Sequence, residues 1–194
     1  MLKFDEFLHE YRWDGKVVPS VTQIIPRPDF GAVSPDVLEF ARIEGVMNHI
    51  KIKEYLDGDG ATGGDEYIED FQQFLFQAEV MLGKLTSHET PLFHPSLMFA
   101  GTPDLVFERG IVDIKRTLGK PRAHALQLAG YQLLVDNSRA MAETYKSRNW
   151  IIAWRENRKF LFKNIWNDQA TTAFRLLLQR RAIDDHLKLY EGGI

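Results

Sequence analysis

The order of patterns along the chain predicts a mixed α/β fold: a central mixed β-sheet flanked by helices, with an N-terminal hairpin and a helical insertion. Three observations carry that expectation. Apolar residues recur at helical spacing in four long segments, and they alternate at period two in the segments between. The strands and helices are interleaved rather than segregated, which places helices on the faces of one sheet. A chain of 194 residues with 44% apolar and 26% charged side chains can bury a core as one domain, 1–194.

The elements follow in order. Glu10 to Val18 reads as a hairpin turning at Asp14-Gly15. Ser20-Val-Thr-Gln23 reads as a capping box opening a single helical turn, stopped by Pro26 and Pro28. Ser34 as cap and Pro35 at the first position start a helix to about Leu56, with Phe40, Ile43, Met47 and Ile50 at helical spacing. Asp57 to Gly64 is a flexible connection. It fails as a calcium loop because Ala61, Thr62 and Ile68 occupy positions that need an oxygen ligand, a glycine and a glutamate.

A second helix is expected over Glu66–Leu85, with Tyr67, Phe71, Phe74, Leu75 and Ala78 on one side. Strands are expected over Ser87–Leu92, Leu97–Glu108 and Ile111–Arg116. A helix over Pro121–Asp136, a hairpin of Trp150–Arg155 with Phe160–Ile165, and a last helix over Asp168–Tyr190 complete the chain.

Composition excludes several chemistries. With no cysteine there is no disulfide, thiolate zinc site, iron–sulfur cluster or cysteine nucleophile. No apolar run approaches the roughly 18 residues of a membrane span, and the acids in the first thirteen residues do not suit a signal or transit peptide. A cytoplasmic protein is therefore expected. The Gly-Lys pairs at Gly15, Gly83 and Gly119 lack the rest of a phosphate loop. No GxGxxG, GxSxG or HExxH occurs, and the six histidines have no zinc-site spacing.

The net charge of −3 conceals an asymmetry. Lys115 to Lys163 holds eleven bases against three acids, and Ser34 to Thr90 holds twelve acids against four bases. Such a division suits a polyanionic substrate, although separated charges also simply solvate different surfaces.

The informative stretch runs from Gly101-Thr-Pro-Asp104 to Asp113-Ile-Lys115. With Arg109-Gly110 as a two-residue turn, Glu108 faces Ile111, Val106 faces Asp113 and Asp104 faces Lys115. Alternation then puts Asp104, Asp113 and Lys115 on one face and Leu105, Phe107, Val112 and Ile114 on the other. Two clustered carboxylates need a shared proton or a cation, and hard oxygen ligands suit Mg²⁺ or Mn²⁺. A lysine two residues on can hold or deprotonate an attacking water, or neutralise a phosphate. An ordinary surface pair has the same pattern. Gln127 and Tyr131, four apart on the next helix, add polar groups on one face, joined by His124. Gly45, one turn before His49, leaves room beside the imidazole, and Glu89 can aim at the same patch.

Gly45-x-x-x-His49, Glu89, Gly101-Thr-Pro-Asp104, Asp113-Ile-Lys115 and Gln127 with Tyr131, in that order, resemble the PD-(D/E)xK nuclease superfamily. The resemblance is closest to its branch of RecB nuclease domains and phage recombination exonucleases. Asp14 to Thr22 is similar to a hairpin that often precedes that core in phage-type members.

The resemblance implies a restriction-endonuclease-like core and a divalent-metal-dependent deoxyribonuclease, an exonuclease of recombination, repair or phage DNA processing, in a bacterial or phage-infected cytoplasm. It implies His49, Asp104, Asp113 and the Ile114 carbonyl as metal ligands, with Glu89 as a further one. Lys115 would be the catalytic lysine, and Gln127 and Tyr131 the substrate-binding pair. The expected phosphate contacts are Arg116, Lys120, Arg122, His124, Arg155, Arg158 and Lys159. Tyr11 or Trp13 would stack on a base or pack internally. Expected partners are DNA and a recombinase, single-strand-binding protein or helicase. The alternative is a DNA-binding or protein-interaction module that kept the fold and lost the chemistry; a weaker one is an RNA-directed hydrolase.

Overall fold

Alternation over 105–115 builds the middle of a five-stranded sheet in the computed structural model, which describes residues 1–5, 8, 10–26, 31, 33–59, 64–119, 121–138 and 149–191. Pro28, residues 60–63 of the expected flexible connection, and Lys120 lie outside the described residues. The strands are β1 (Leu2–Asp5), β2 (Glu10–Trp13), β3 (Lys16–Val18), β4 (Leu85–His88), β5 (Leu92–His94), β6 (Phe99–Gly101), β7 (Leu105–Phe107), β8 (Gly110–Lys115), β9 (Trp150–Glu156) and β10 (Lys159–Asn164). The helices are α1 (Val21–Ile24), α2 (Pro35–Asp57), α3 (Glu66–Leu82), α4 (Pro121–Ser138) and α5 (Asp168–Glu191).

The central sheet has the order β10-β9-β8-β7-β4, with β8 and β9 parallel and the other pairs antiparallel. Leu105, Phe107, Val112 and Ile114 on one face pack with Ile52 of α2 and with Phe71, Phe74 and Leu82 of α3. Val106, Ile111, Trp150 and Ile152 on the other pack with Val21, Leu128, Leu134 and Phe174 of α1, α4 and α5. Each face is thus covered by helices, as the interleaved patterns predict.

Local signals hold where they are local. Ser20 and Gln23 form the reciprocal capping box on α1. Ser34 caps α2, with Pro35 at its start. Asp14 (φ 48) and Gly15 (φ 81) take the left-handed turn joining β2 to β3, with Trp13 opposite Lys16.

Four expectations are corrected. First, β7 and β8 pair as Leu105↔Val112, Val106↔Ile111 and Phe107↔Gly110, so the turn is Glu108-Arg109 and not Arg109-Gly110. The cause is tertiary. Glu108 N–H bonds Lys84 O at 3.0 Å and Arg109 N–H bonds Leu82 O at 2.8 Å. A Cβ on Gly110 would lie 2.9 Å from Leu82 and 3.0 Å from the Asn149 carbonyl, so the strand needs glycine there. The shift of two preserves side-chain parity, so both predicted faces survive and Asp104 moves towards Asp113 instead of Lys115.

Second, α3 stops at Leu82, because Gly83 takes φ +80 and the chain turns into β4 at Leu85. Third, the expected strands Ser87–Leu92 and Leu97–Glu108 are each broken. The first breaks at Glu89, with φ 40, ahead of Pro91; the second breaks at Thr102-Pro103-Asp104. Fourth, the N-terminal hairpin gains a third strand, β1, paired with β2 from Leu2↔Trp13 to Asp5↔Glu10.

Candidate metal centre

α2 runs above the end of β8, so one of its faces looks into a cavity of about 820 Å³. That face carries Arg42, Gly45, Val46, His49 and Lys53. Glu89 enters from the break after β4, Asp104 from the break before β7, and Ile114, Lys115 and Arg116 from the end of β8. Gln127 and Tyr131 of α4 close the floor, and Phe4 and Tyr11 of the N-terminal sheet form a wall.

His49 is held at both ring nitrogens: Nδ1 lies 2.8 Å from Glu89 Oε1, and Nε2 lies 3.2 Å from Ile114 O. Both partners are acceptors, so the ring donates twice, as an imidazolium. Asp104 Oδ1 lies 3.8 Å from Nδ1. The negative charge of Asp104, and then the hydrogen bond to Glu89, outweigh burial and raise the imidazole pKa to about 9. Asp104 itself is buried; burial and the nearby charges of Asp113 and Glu89 push its carboxyl up to about 7 against the pull of His49. Its Oδ2 accepts the Ile114 N–H at 2.6 Å, which ties the aspartate to β8. Glu89 reaches the cluster from a left-handed backbone, φ 40, a cost tolerated chiefly where surrounding contacts hold the residue in place; its N–H bonds Asp104 O at 3.0 Å.

The ligand atoms of His49, Glu89 and Asp104 all lie within 4.8 Å of one another. Once the ring has given up a proton, its nitrogen joins the carboxylate oxygens as donors that suit a divalent cation. A Cβ built on Gly45 meets nothing within 4 Å, so the glycine leaves the space beside His49 open.

Asp113 is fully buried on the same sheet face, with Lys115 Nζ 2.8 Å from each of its oxygens. Oδ1 takes the hydrogen bond, and Oδ2 has only the ionic contact among the described residues. Oδ2 keeps a lone pair beyond that ionic contact, and the cluster of His49, Glu89 and Asp104 is the donor set that fits a cation. Burial alone would lower the Lys115 pKa, but Asp113 and Asp104 outweigh it and keep the ammonium charged. Gln127 Nε2 donates to Tyr131 OH at 3.0 Å, and both side chains are buried. Burial first, then the charges of Asp113 and Asp104, hold the Tyr131 hydroxyl well above its ordinary pKa. Gly101 makes this floor possible: a Cβ there would lie 3.0 Å from Tyr131, Leu134 and Val21.

His49, Glu89, Asp104, Ile114, Lys115, Gln127 and Tyr131 therefore line one cavity, with Asp113 behind Lys115. Among the described residues, the expected phosphate contacts are dispersed. Arg116 lines the cavity and pairs with Glu44 at 3.3 Å. Arg122 is exposed on the first turn of α4, away from the lining, and His124 is half-buried there with its Nε2 unpartnered among the described residues. Arg155 is taken by Asp70 and Glu66 and lies over the Tyr67 ring, and Arg158 pairs with Glu66. Both belong with exposed Lys159 to the β9–β10 hairpin against α3, outside the cavity. Trp13 stacks on Phe93 and Tyr11 on Phe4, so both rings are engaged in packing. Tyr11 OH also lies 2.7 Å from Thr102 Oγ1.

The sequence reading omitted Arg42, Lys53 and Phe4 from the cavity. The first two had a signal, since residues 42, 45, 46, 49 and 53 recur at three- and four-residue steps on one helix face. Phe4 had none, because β1 is short.

No family model and no curated protein sequence matches the chain. Several solved structures are similar, two of them as follows. LHK-Exo in complex with dAMP is 12% identical with a TM-score of 0.41, covering 90% of this chain and 93% of that one. The alkaline exonuclease (LHK-Exo) from Laribacter hongkongensis is 12% identical with a TM-score of 0.33, covering 89% and 92%. Among the described residues, no helix is long and apolar enough to cross a membrane.

Proposed function

We propose that this chain is a divalent-metal-dependent deoxyribonuclease of the PD-(D/E)xK type, an exonuclease that hydrolyses DNA phosphodiester bonds in recombination, repair or phage DNA processing. One observation carries the reading. The donors of His49, Glu89 and Asp104, within 4.8 Å of one another, share a cavity with Lys115, whose counter-ion is the buried Asp113.

Asp104, Glu89, His49 and the Ile114 carbonyl would hold Mg²⁺ or Mn²⁺, with Asp113 Oδ2 as the acid in reserve. A bound divalent ion supplies Lewis acidity and a more acidic water. The chain's own residues do the rest. Lys115, an ammonium fixed by Asp113, donates to the attacking water or to a phosphate oxygen and offsets charge there. Gln127 and Tyr131, bonded to each other, present an amide and a phenol that orient the phosphate. Gly45 leaves the backbone of α2 low enough for a strand to enter beside His49. Arg116 at the rim is the expected contact that draws the phosphate backbone in. The buried floor excludes bulk water from the reacting phosphate, which strengthens each of these interactions.

The decisive assay incubates end-labelled linear and closed circular DNA with Mn²⁺ or Mg²⁺ and reads product size and end dependence. Linear DNA is expected to be consumed from its ends and the circle to survive. Asp113→Asn and Lys115→Ala, checked for folding by circular dichroism, are each expected to lower cleavage by roughly 10²–10³-fold. Variants that cut like the parent would refute the mechanism. Salt-sensitive DNA retention with neither cleavage nor calorimetric binding of a divalent ion would favour the inactive module.

A further inference from the structure

α2 carries a second feature, adjoining the face that lines the cavity. Phe40, Ile43, Met47 and Ile50 follow a three-four-three spacing beside the cavity-lining face, with Ile50 at the cavity's edge, and are 68%, 48%, 50% and 42% exposed. That is the spacing of a coiled-coil seam, with Phe40 and Met47 at one set of core positions and Ile43 and Ile50 at the other. The seam is not needed by the fold. Ile52, on the opposite side of α2, is the residue that buries against α3 and the sheet. A continuous apolar stripe left in water on a 23-residue helix marks an interaction surface.

We propose that this seam is a dimerisation surface, occupied by the α2 helix of a second copy of the chain running antiparallel about a two-fold axis. The flanking charges select that occupant and that direction. With the axis near Val46, Phe40 packs against Ile50 and Ile43 against Met47 of the other copy. Glu39 then falls opposite Lys53 twice along one flank, two pairs of opposite charge, while the other flank brings Glu44 opposite Glu44 once. A parallel pair would instead bring Glu39 against Glu44 across the seam and repel. Glu44, near the axis, keeps Arg116 as its counter-charge at 3.3 Å. Glu39 and Lys53 hold exposed partners within the chain, Arg42 and Asp57. Such exposed pairs contribute little and exchange readily. A nucleic-acid strand is a poorer occupant, because α2 carries five acids against three bases. The surface is isologous, so it closes at two copies. This inference does not depend on the nuclease reading.

Sedimentation velocity over a concentration series tests it. The chain is expected to shift from 22.4 kDa towards twice that mass as concentration rises. Met47→Asp, on an exposed site that leaves the fold intact by circular dichroism, is expected to stay at 22.4 kDa throughout. Glu39→Lys alone and Lys53→Glu alone are each expected to be monomeric, because like charges then face each other. Mixed, the two variants are expected to recover the dimer. Val46→Cys, the sole cysteine in the chain, is expected to cross-link two copies on oxidation, since only the antiparallel arrangement brings the two Val46 positions together. A parent that remains monomeric at every concentration overturns the proposal. So do a dimer indifferent to Met47→Asp and a mixture of charge variants that stays monomeric.

Discussion

Lys115 and Asp113 form a pair in which one member is fully buried and the other reaches the cavity. Removing the ammonium strands a carboxylate in the interior, and such a break typically costs about 3–5 kcal/mol. Lys115→Ala is therefore expected to lower stability by about that much in chemical denaturation. Adding Asp113→Asn should recover most of the loss without restoring cleavage, which separates the structural part of the pair from the chemical one. Two glycines at the cavity are expected to respond with opposite signs. Gly45→Ala meets open space in a helix and should raise stability by about 0.5–1 kcal/mol. Gly101→Ala drives a Cβ into Tyr131, Leu134 and Val21, and should lower it by about 1–3 kcal/mol. Thermal unfolding of the two variants beside the parent checks both signs.

At the scale of elements, α3 depends on its first turn. Asp65 caps it by accepting from Tyr67 N at 2.9 Å and Ile68 N at 3.4 Å, and it pairs with Lys51 of α2 at 2.7 Å. Asp65→Ala is expected to cost about 1 kcal/mol. Lys51 first, then the two backbone donors, hold the Asp65 pKa below its ordinary value of 3.8. A depressed carboxylate pKa gives stability that is present above the unfolded value and is lost as pH falls through the folded one. Asp65→Asn keeps a capping oxygen but not the charge. Its deficit relative to the parent should therefore be full at neutral pH and vanish on acidification below 3.8, as read by urea unfolding at several pH values.

The whole molecule is a sheet clamped between two helical layers, and its protection should follow that architecture. β8 and β9 are buried from both faces, whereas α5 beyond Arg181 is exposed through Lys188. Amide hydrogen exchange followed by mass spectrometry is expected to be slowest in β8 and β9 and fast in the last two turns of α5. The opposite order would mean that the two apolar clusters do not unfold together.

Residue order alone made the caps, the turn at Asp14-Gly15, the four long helices and the two faces of the β7–β8 ribbon legible, because each depends on neighbours a few positions away. It also brought His49, Glu89, Asp104, Asp113, Lys115, Gln127 and Tyr131 under one heading, though only through the resemblance of their order. The two-residue error in the β7–β8 turn lay beyond it. Parity is a local property, but the turn is chosen by the end of α3, whose Leu82 and Lys84 carbonyls bind Arg109 and Glu108. Arg155 and Arg158 of the basic stretch likewise lie outside the cavity, because they meet acids of α3 that sequence distance concealed. Which side of α2 turns inward was equally undecided: its apolar stripe stays in water while His49 points to the sheet. Periodicity counts apolar residues along a helix, but only packing decides what covers them.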